Sequence, residues 1–370
     1  MQPKLTHMAI PKEVVWEIDP HTIAKHKILK AYLDAWYPIL KSTSSRLNYI
    51  DGFSGPGKYL GSELGSPLVV IDLALKHQSL NGVELNFIFV EENLARKENL
   101  EKEISVLKLP DHFKIGIVHG EFHEVIGKIL DELERSGENL APTFVFIDPF
   151  GFAGIPFSII ERLMKIPRVE VLITFMVNRI NQFIGDRKNN QHIINLFGSE
   201  KVLEMLDENR GNRYEVLRAF YQKQLHNVAG AKFVRYFGMK DVNDRPIYDL
   251  FFATKHPLGH IKMKEAMWNI DNEGLFQFSD GTDQNQIVLF QPDSRKVLFD
   301  IINETRTKQR YEVKRIRKFV EDETAFLERH MKKSLEYAEE NKFIDVDLIK
   351  SNGQKRRGKT FPDDVIINFK

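Results

Sequence analysis

The 370-residue sequence contains no cysteine. That absence excludes disulfides, thiolate zinc sites, iron–sulfur clusters ligated by this chain and every mechanism with a cysteine nucleophile. Long hydrophobic runs are missing too. The stretches 143–147 and 171–177 are among the longest, far short of the roughly 20 apolar residues of a membrane helix. The N-terminus shows no apolar segment of the signal-peptide kind, so the expected location is the cytoplasm. Neither charge is in excess: 53 Lys and Arg stand against 52 Asp and Glu, for a net charge of +1. A uniformly basic chain is excluded, although blocks of opposite sign can hide in such a sum. What is present is ordinary globular composition, 42% hydrophobic, at a length that predicts two domains.

Strand-like and helix-like stretches alternate along the first half. Ile28, Ala31, Tyr32, Ala35 and Ile39 recur at helical spacing, and an apolar run at 47–50 enters a glycine-rich turn before a helical stretch at 66–77. Strands are expected at 86–90, 113–118, 143–147 and 169–177, separated by helices at 94–107, after Phe122 and after Pro156. Five strands with helical crossovers imply a parallel sheet covered on both faces. Residues 178–229, rich in Asn, Arg and Gln, read as a helical insertion. The runs 232–238 and 247–254 read as a hairpin, a helix at 259–270 follows, and 271–292 reads as a linker. The expected fold is α/β: a Rossmann-like sheet with a terminal antiparallel hairpin over residues 1–290, then a second domain over 291–370. The latter shows helix patterns near 293–304, 311–322 and 324–341 and apolar runs at 343–349 and 365–369. Three helices and a hairpin are the layout of a winged helix-turn-helix.

The turn Asp51-Gly-Phe-Ser-Gly-Pro-Gly57 lets backbone approach a ligand at the carboxyl end of a parallel sheet. It matches neither the dinucleotide fingerprint G-x-G-x-x-G nor a P-loop. Glu91 closes the next strand and could accept both ribose hydroxyls of an adenosine, and Glu121 and Phe122 follow the third strand, where they could meet an adenine ring. Acids at three successive strand ends suit S-adenosylmethionine better than NAD or ATP. A tight turn without ligand and a helix-N-terminal carboxylate at Glu121 are the plainer readings of the same residues.

The fourth strand delivers Asp148-Pro149-Phe150-Gly151 beside that turn. In amino-directed methyltransferases an Asp/Asn-Pro-Pro-aromatic loop accepts hydrogen bonds from the target amino group and stacks on the base. Such catalysis works by positioning and electrostatics. Here the aromatic stands one place early, so Phe150 either stacks on substrate or belongs to the core. Lacking cysteine, the chain cannot methylate cytosine C5 through a thiol adduct.

Together, Tyr49-Ile-Asp-Gly-Phe-Ser-Gly-Pro-Gly57, Phe146-Ile-Asp-Pro-Phe-Gly151, Ile173-Thr-Phe-Met-Val-Asn178, Ala253-Thr-Lys-His-Pro-Leu-Gly259, Glu328-Arg-His330 and Gly358-Lys-Thr-Phe-Pro-Asp363 resemble the three-Cys-motif partner proteins over nearly the whole chain. That family is similar to class I SAM-dependent methyltransferases with a C-terminal winged helix, and is named for genomic company with a radical-SAM-like protein bearing three cysteines. The resemblance implies S-adenosyl-L-methionine as cofactor, with its methionine part near Asp51, Ser54, Gly55 and Gly57. It puts the ribose at Glu91, the adenine edge at Glu121 and the reacting group at Asp148. Lys25 and His26 fall on a first helix that lids the cofactor in such enzymes, although a His-Lys pair on a helix is more often surface. Asn178 and Arg179 border the same cleft as substrate contacts.

The near-neutral charge is unevenly spread. Residues 306–318 carry seven Lys and Arg against Glu312, and 350–359 carry five against no acid. The longest helix expected in the second domain, near 324–341, turns Leu327, Met331, Leu335 and Ala338 inward, leaving Lys332 and Lys333 outward. With Lys355, Arg356 and Arg357 on the wing, these cations could meet nucleic-acid phosphates. The leading expectation is methylation of nucleic acid, DNA at an exocyclic amino group. The alternatives are a non-catalytic nucleic-acid-binding partner of a radical-SAM protein, or methylation of RNA or protein.

Overall fold

The computed structural model describes residues 12–77, 80–184, 187–209, 211–271, 276–281, 293–304, 306, 309–347 and 353–370. They divide into two compact units. The first comprises Met1–Ala266 and Phe278–Thr282, the second Met267–Gln277 and Asp283–Lys370.

The first unit is a mixed α/β structure on a mostly parallel sheet. The parallel strands are β1 (Arg46–Asp51), β2 (Glu84–Glu91), β3 (Phe113–His119), β4 (Thr143–Ile147) and β5 (Val169–Phe175). Every residue of β4 and β5 is buried, as continuous apolar runs with helices on both faces require. Helix α1 (Pro20–Lys41) precedes β1, and α2 (Ser66–Lys76), α3 (Leu94–Ser105), α4 (Phe122–Ser136) and α5 (Phe157–Lys165) make the crossovers. In α4 the buried Phe122, Ile126 and Leu130 fall four residues apart on one face, and the helix ends at Gly137 in the left-handed conformation.

After β5 come α6 (Val177–Phe183), α7 (Asn190–Phe197), α8 (Lys201–Glu208) and α9 (Arg213–Asn227). These are the helices expected over 178–229, whose polar composition gave no sign of a buried face. Yet Ile193, Phe197, Leu206, Leu217 and Tyr221 are buried in the same hydrophobic core as β5. Each short helix needs only two or three apolar residues per face to join a core, so the average composition hides them.

The hairpin forms as β6 (Phe233–Lys240) and β7 (Pro246–Thr254), antiparallel to each other, with β7 antiparallel to β5. Helix α10 (Pro257–Trp268) and the short β8 (Gln277–Ser279) follow. The strand order is β3-β2-β1-β4-β5-β7-β6-β8. Because β1 has β2 on one side and β4 on the other, the order reverses there, and the crevice above the carboxyl ends of β1 and β4 is the position where open α/β sheets hold ligands. Of the expected linker 271–292, residues 272–275 and 282–292 lie outside the described residues, Gly274 and Pro292 among them.

The second unit contains α11 (Ser294–Glu304), β9 (Arg310–Glu312), α12 (Val313–Glu323), α13 (Glu328–Glu340), β10 (Ile344–Val346) and β11 (Ile366–Phe369). Its sheet is antiparallel in the order β10-β11-β9. Leu298, Ile316, Met331, Leu335, Ala338 and Ile367 are buried in it. Lys308 and Lys350, counted above among the basic residues, lie outside the described residues.

Candidate functional site

At the reversal of strand order, β1 ends in Asp51, which is fully buried. Its carboxylate accepts hydrogen bonds from Ser66 Oγ at 2.6 Å and the Phe53 amide at 3.1 Å. Burial pushes its pKa up to about 7 against the pull of these two donors, and the neighbouring Asp148 and Glu91 add to the rise. The turn that follows needs its glycines. A Cβ on Gly52 would stand 2.5 Å from the Phe122 ring, and Gly57 has φ +85° with Leu100 Cδ1 2.9 Å from a Cβ position.

Glu91, at the end of β2, braces this turn. Its two oxygens accept the amides of Gly55 and Asn93, each at 2.8 Å. Burial raises its pKa, and the two amides oppose the rise.

A cavity of about 400 Å³ opens above the turn, lined by Ser54 to Tyr59, Ser66, Asp148 to Phe150, Thr174 and Tyr248, with Lys25 on one wall. That is a size at which pockets hold small molecules and cofactors. Asp148 leaves the end of β4 and is gripped from two elements. Lys25 Nζ lies 2.6 Å and 2.5 Å from its two oxygens, and Thr174 Oγ1 donates to Oδ1 at 2.6 Å. Lys25 and His26 are buried, not on the surface, because the buried face of α1, here made of His21, Ala24, Lys25 and His26, runs on into its first turns. Burial, with the Lys25 charge beside it, pushes His26 down to about 4, so the ring is neutral at pH 7. The rim is acidic, carrying Glu13, Glu17 and Asp19. Burial raises the Asp19 pKa against the charge of His21.

Several expected site residues stand elsewhere. Phe122 is 2% exposed, and its ring packs under Gly52 and against Phe53, 5.6 Å between centroids. Glu121 is exposed beside His123. Neither lines the cavity, because the first turn of α4 passes beneath the glycine turn instead of over it. Asn178 and Arg179 are also off the cavity lining: α6 begins at Val177, and Asn178 accepts a hydrogen bond from Tyr214 at 3.2 Å. Phe150 meets Trp16 edge-on at 5.5 Å, with the Arg96 guanidinium over both rings.

In the second unit Lys332, Lys333, Lys355 and Arg357 are exposed, Lys332 paired with Glu328 at 2.9 Å. Arg356 is not available to a phosphate. It is buried, forks onto Glu339 at 2.6 and 2.8 Å, and lies over the Phe361 ring.

Thr174, Ser66, Tyr248 and Trp16 were missed by sequence reasoning. Thr174 had a signal, a hydroxyl inside an otherwise apolar strand. Trp16 had none, since it precedes the first periodic segment.

No family model matches the chain, and no curated protein matches it. Among solved structures the chain is similar to Trm1 from Pyrococcus horikoshii in complex with S-adenosyl-L-methionine, at 13% identity, over 72% of this chain and 64% of that one, with a TM-score of 0.36. This match spans less than two thirds of that protein's length. It is also similar to an O-methyltransferase from Bacillus cereus in complex with SAH, at 14% identity over 65% and 83% of the two chains, TM-score 0.33. A third similarity is to the cyclopropane synthase MmaA2 from Mycobacterium tuberculosis, at 12% identity over 68% and 70%, TM-score 0.27.

Proposed function

We propose that this chain is an S-adenosyl-L-methionine-dependent methyltransferase acting on nucleic acid, DNA at an exocyclic base amino group. One observation carries the reading: the glycine turn and Asp148 line a single cavity at the point where the strand order reverses. The cavity fits the methionine part of the cofactor, since the turn from Ser54 to Gly57 offers close backbone approach and the surrounding acids favour a sulfonium and an ammonium. Glu91 is buried and does not itself line the cavity, but each of its oxygens keeps a second lone pair after accepting one amide, for a ribose hydroxyl that reaches it past the turn.

The cofactor supplies an electrophilic methyl group. The protein's own task is to hold a nitrogen in line with it. Asp148 Oδ1 is filled by Lys25 and Thr174, whereas among the described residues Oδ2 accepts from Lys25 alone and keeps a lone pair for a substrate N–H. An amino group bonded there is oriented by a carboxylate that cannot swing away, because two elements grip it. In this reading residues 1–290 form the catalytic domain and 291–370 a winged helix, with Lys314, Arg315, Lys318, Lys333, Lys355 and Arg357 exposed to meet phosphates. Partnership with a radical-SAM-like protein rests on the resemblance alone and is no part of the proposal.

The acidic rim favours a second reading, a cationic protein side chain as methyl acceptor, because Glu13, Glu17 and Asp19 repel a phosphate and attract an ammonium. Methyl-tritiated cofactor incubated with separate DNA, RNA and protein pools decides between them. Label in DNA supports the leading reading, and label confined to protein replaces it. Asp148→Ala should keep cofactor affinity by calorimetry and lose transfer; retained transfer would remove Asp148 from its role.

A further inference from the structure

The Ala253–Gly259 motif plays no part in the site above. Its Thr254 to His256, Leu258 and Gly259 line a second cavity of about 600 Å³ at the opposite, amino-terminal end of β5, together with Trp36, Ile39, Leu40, Pro167 and Arg168. Its walls are mainly apolar. At its base Glu170 is buried and accepts Tyr32 Oη and Trp36 Nε1 on one oxygen, each at 2.7 Å, and Thr254 Oγ1 on the other at 2.6 Å. Three of the roughly four acceptor positions of this carboxylate are therefore filled by neutral donors. Gly259 lets it fit, since a Cβ there would stand 2.3 Å from Glu170 Oε1.

The rim is cationic and unsatisfied. Among the described residues no carboxylate pairs with Arg168 or Lys255. Arg168 donates to Thr43 Oγ1, at 2.5 Å, from a backbone with φ +61°, a conformation a non-glycine residue adopts at a cost. Lys255 has its pKa lowered by burial and by its like-charged neighbour Lys232. Helix α10 begins at the same rim and turns the positive end of its dipole toward it. Lys262 is neutralised by Glu265 at 2.7 Å. An apolar chamber with two cations that no described carboxylate pairs, and a helix N-terminus at its mouth, matches a molecule with an apolar body and one anionic head.

The geometry points to a binding site for an amphipathic carboxylate in this cavity, its tail against Trp36, Ile39, Leu40 and Leu258 and its head between Lys255 and Arg168. It is separate from the methyltransferase cavity and stands whether or not that reading holds.

The test uses the full chain and two probes matched in tail and opposite in head charge, octanoate and octyltrimethylammonium, titrated by calorimetry. Octanoate should bind with one-to-one stoichiometry and the cation at least about tenfold more weakly. Lys255→Glu should weaken octanoate by about tenfold, and Leu258→Trp, which fills the chamber, should abolish binding, with both variants checked by circular dichroism to be folded. Failure of octanoate to bind, equal or tighter binding of the cation, or octanoate affinity unchanged in both folded variants would each overturn the assignment.

Discussion

Asp51 and His26, both buried and both within the field of Asp148, illustrate how burial shifts titration in opposite directions. Burial pushes Asp51 up to about 7. The folded chain therefore binds a proton there that the unfolded chain has released, and stability falls as pH rises from about 4 to 7. His26 is pushed down to about 4. Between about 4 and 6.5 the unfolded chain binds the extra proton, so this contribution rises with pH and offsets the first. Asp51→Asn removes only the falling contribution. Relative to the parent, the variant should gain stability steadily from pH 4 to 7, on the order of 4 kcal/mol in total. Urea unfolding at about pH 4.5, 6 and 7.5 measures it, and a difference flat in pH would mean that Asp51 titrates alike in both states. Lys25→Met should cost about 3 kcal/mol, because it strands the Asp148 carboxylate with Thr174 alone. It should also raise the His26 pKa, readable from the imidazole resonances. The Lys25-His26 pair was visible in sequence, yet its burial was not. His21, Lys25, Ile28, Tyr32 and Trp36 lie three or four residues apart on one buried face, and the polar members of that face look like solvent until the sheet is in place.

At the level of elements, the glycine turn and α4 are cut to fit each other. Gly52 has no room for a Cβ because the Phe122 ring stands 2.5 Å from where it would be. Gly52→Ala should cost about 2 kcal/mol through this overlap. Phe122→Leu alone should cost a similar amount through the void it leaves. Combined, the two should cost at least about 1 kcal/mol less than their sum, since the smaller side chain makes space for the added methyl. Additive losses in urea titrations would mean that the turn moves independently of α4. Strand–helix alternation made the parallel strands and their order of appearance legible, because period and glycine punctuation are local signals. What Phe122 touches was not legible, since the same residue at the head of a helix can roof a cavity or floor a turn. The helices α6 to α9 were expected as helices, but their packing into the sheet's core was not legible, for a related reason: their apolar residues are sparse but aligned.

Over the whole molecule, the net charge of +1 conceals which cations are already committed. Counting Lys and Arg along 306–318 and 350–359 located basic segments but not free charge. Arg317 is bound by Glu328 and Asp363, Arg310 by Asp347 at 3.1 Å, Lys359 by Glu340 and Arg356 by Glu339. Glu328 and Asp363, both in motifs that carry the family resemblance, thus serve the architecture of the second unit. So does His330, whose Nδ1 accepts the Leu327 amide at the head of α13. Lys355 and Arg357 flank Arg356 in sequence and are exposed, so adjacent residues separate the two roles. If the second unit binds duplex DNA, the Lys355→Ala/Arg357→Ala double variant should lower the slope of log K against log salt by up to about 2, roughly 0.9 for each phosphate no longer neutralised, with unchanged urea midpoint. Arg356→Ala should leave the slope intact and destabilise the fold by about 3 kcal/mol, because it abandons a carboxylate and an aromatic face it now satisfies. Fluorescence anisotropy of a labelled duplex at stepped sodium chloride, beside denaturation of the same samples, reads both quantities. A salt slope that drops for Arg356→Ala and holds for the double variant would reverse the assignment of these three neighbours.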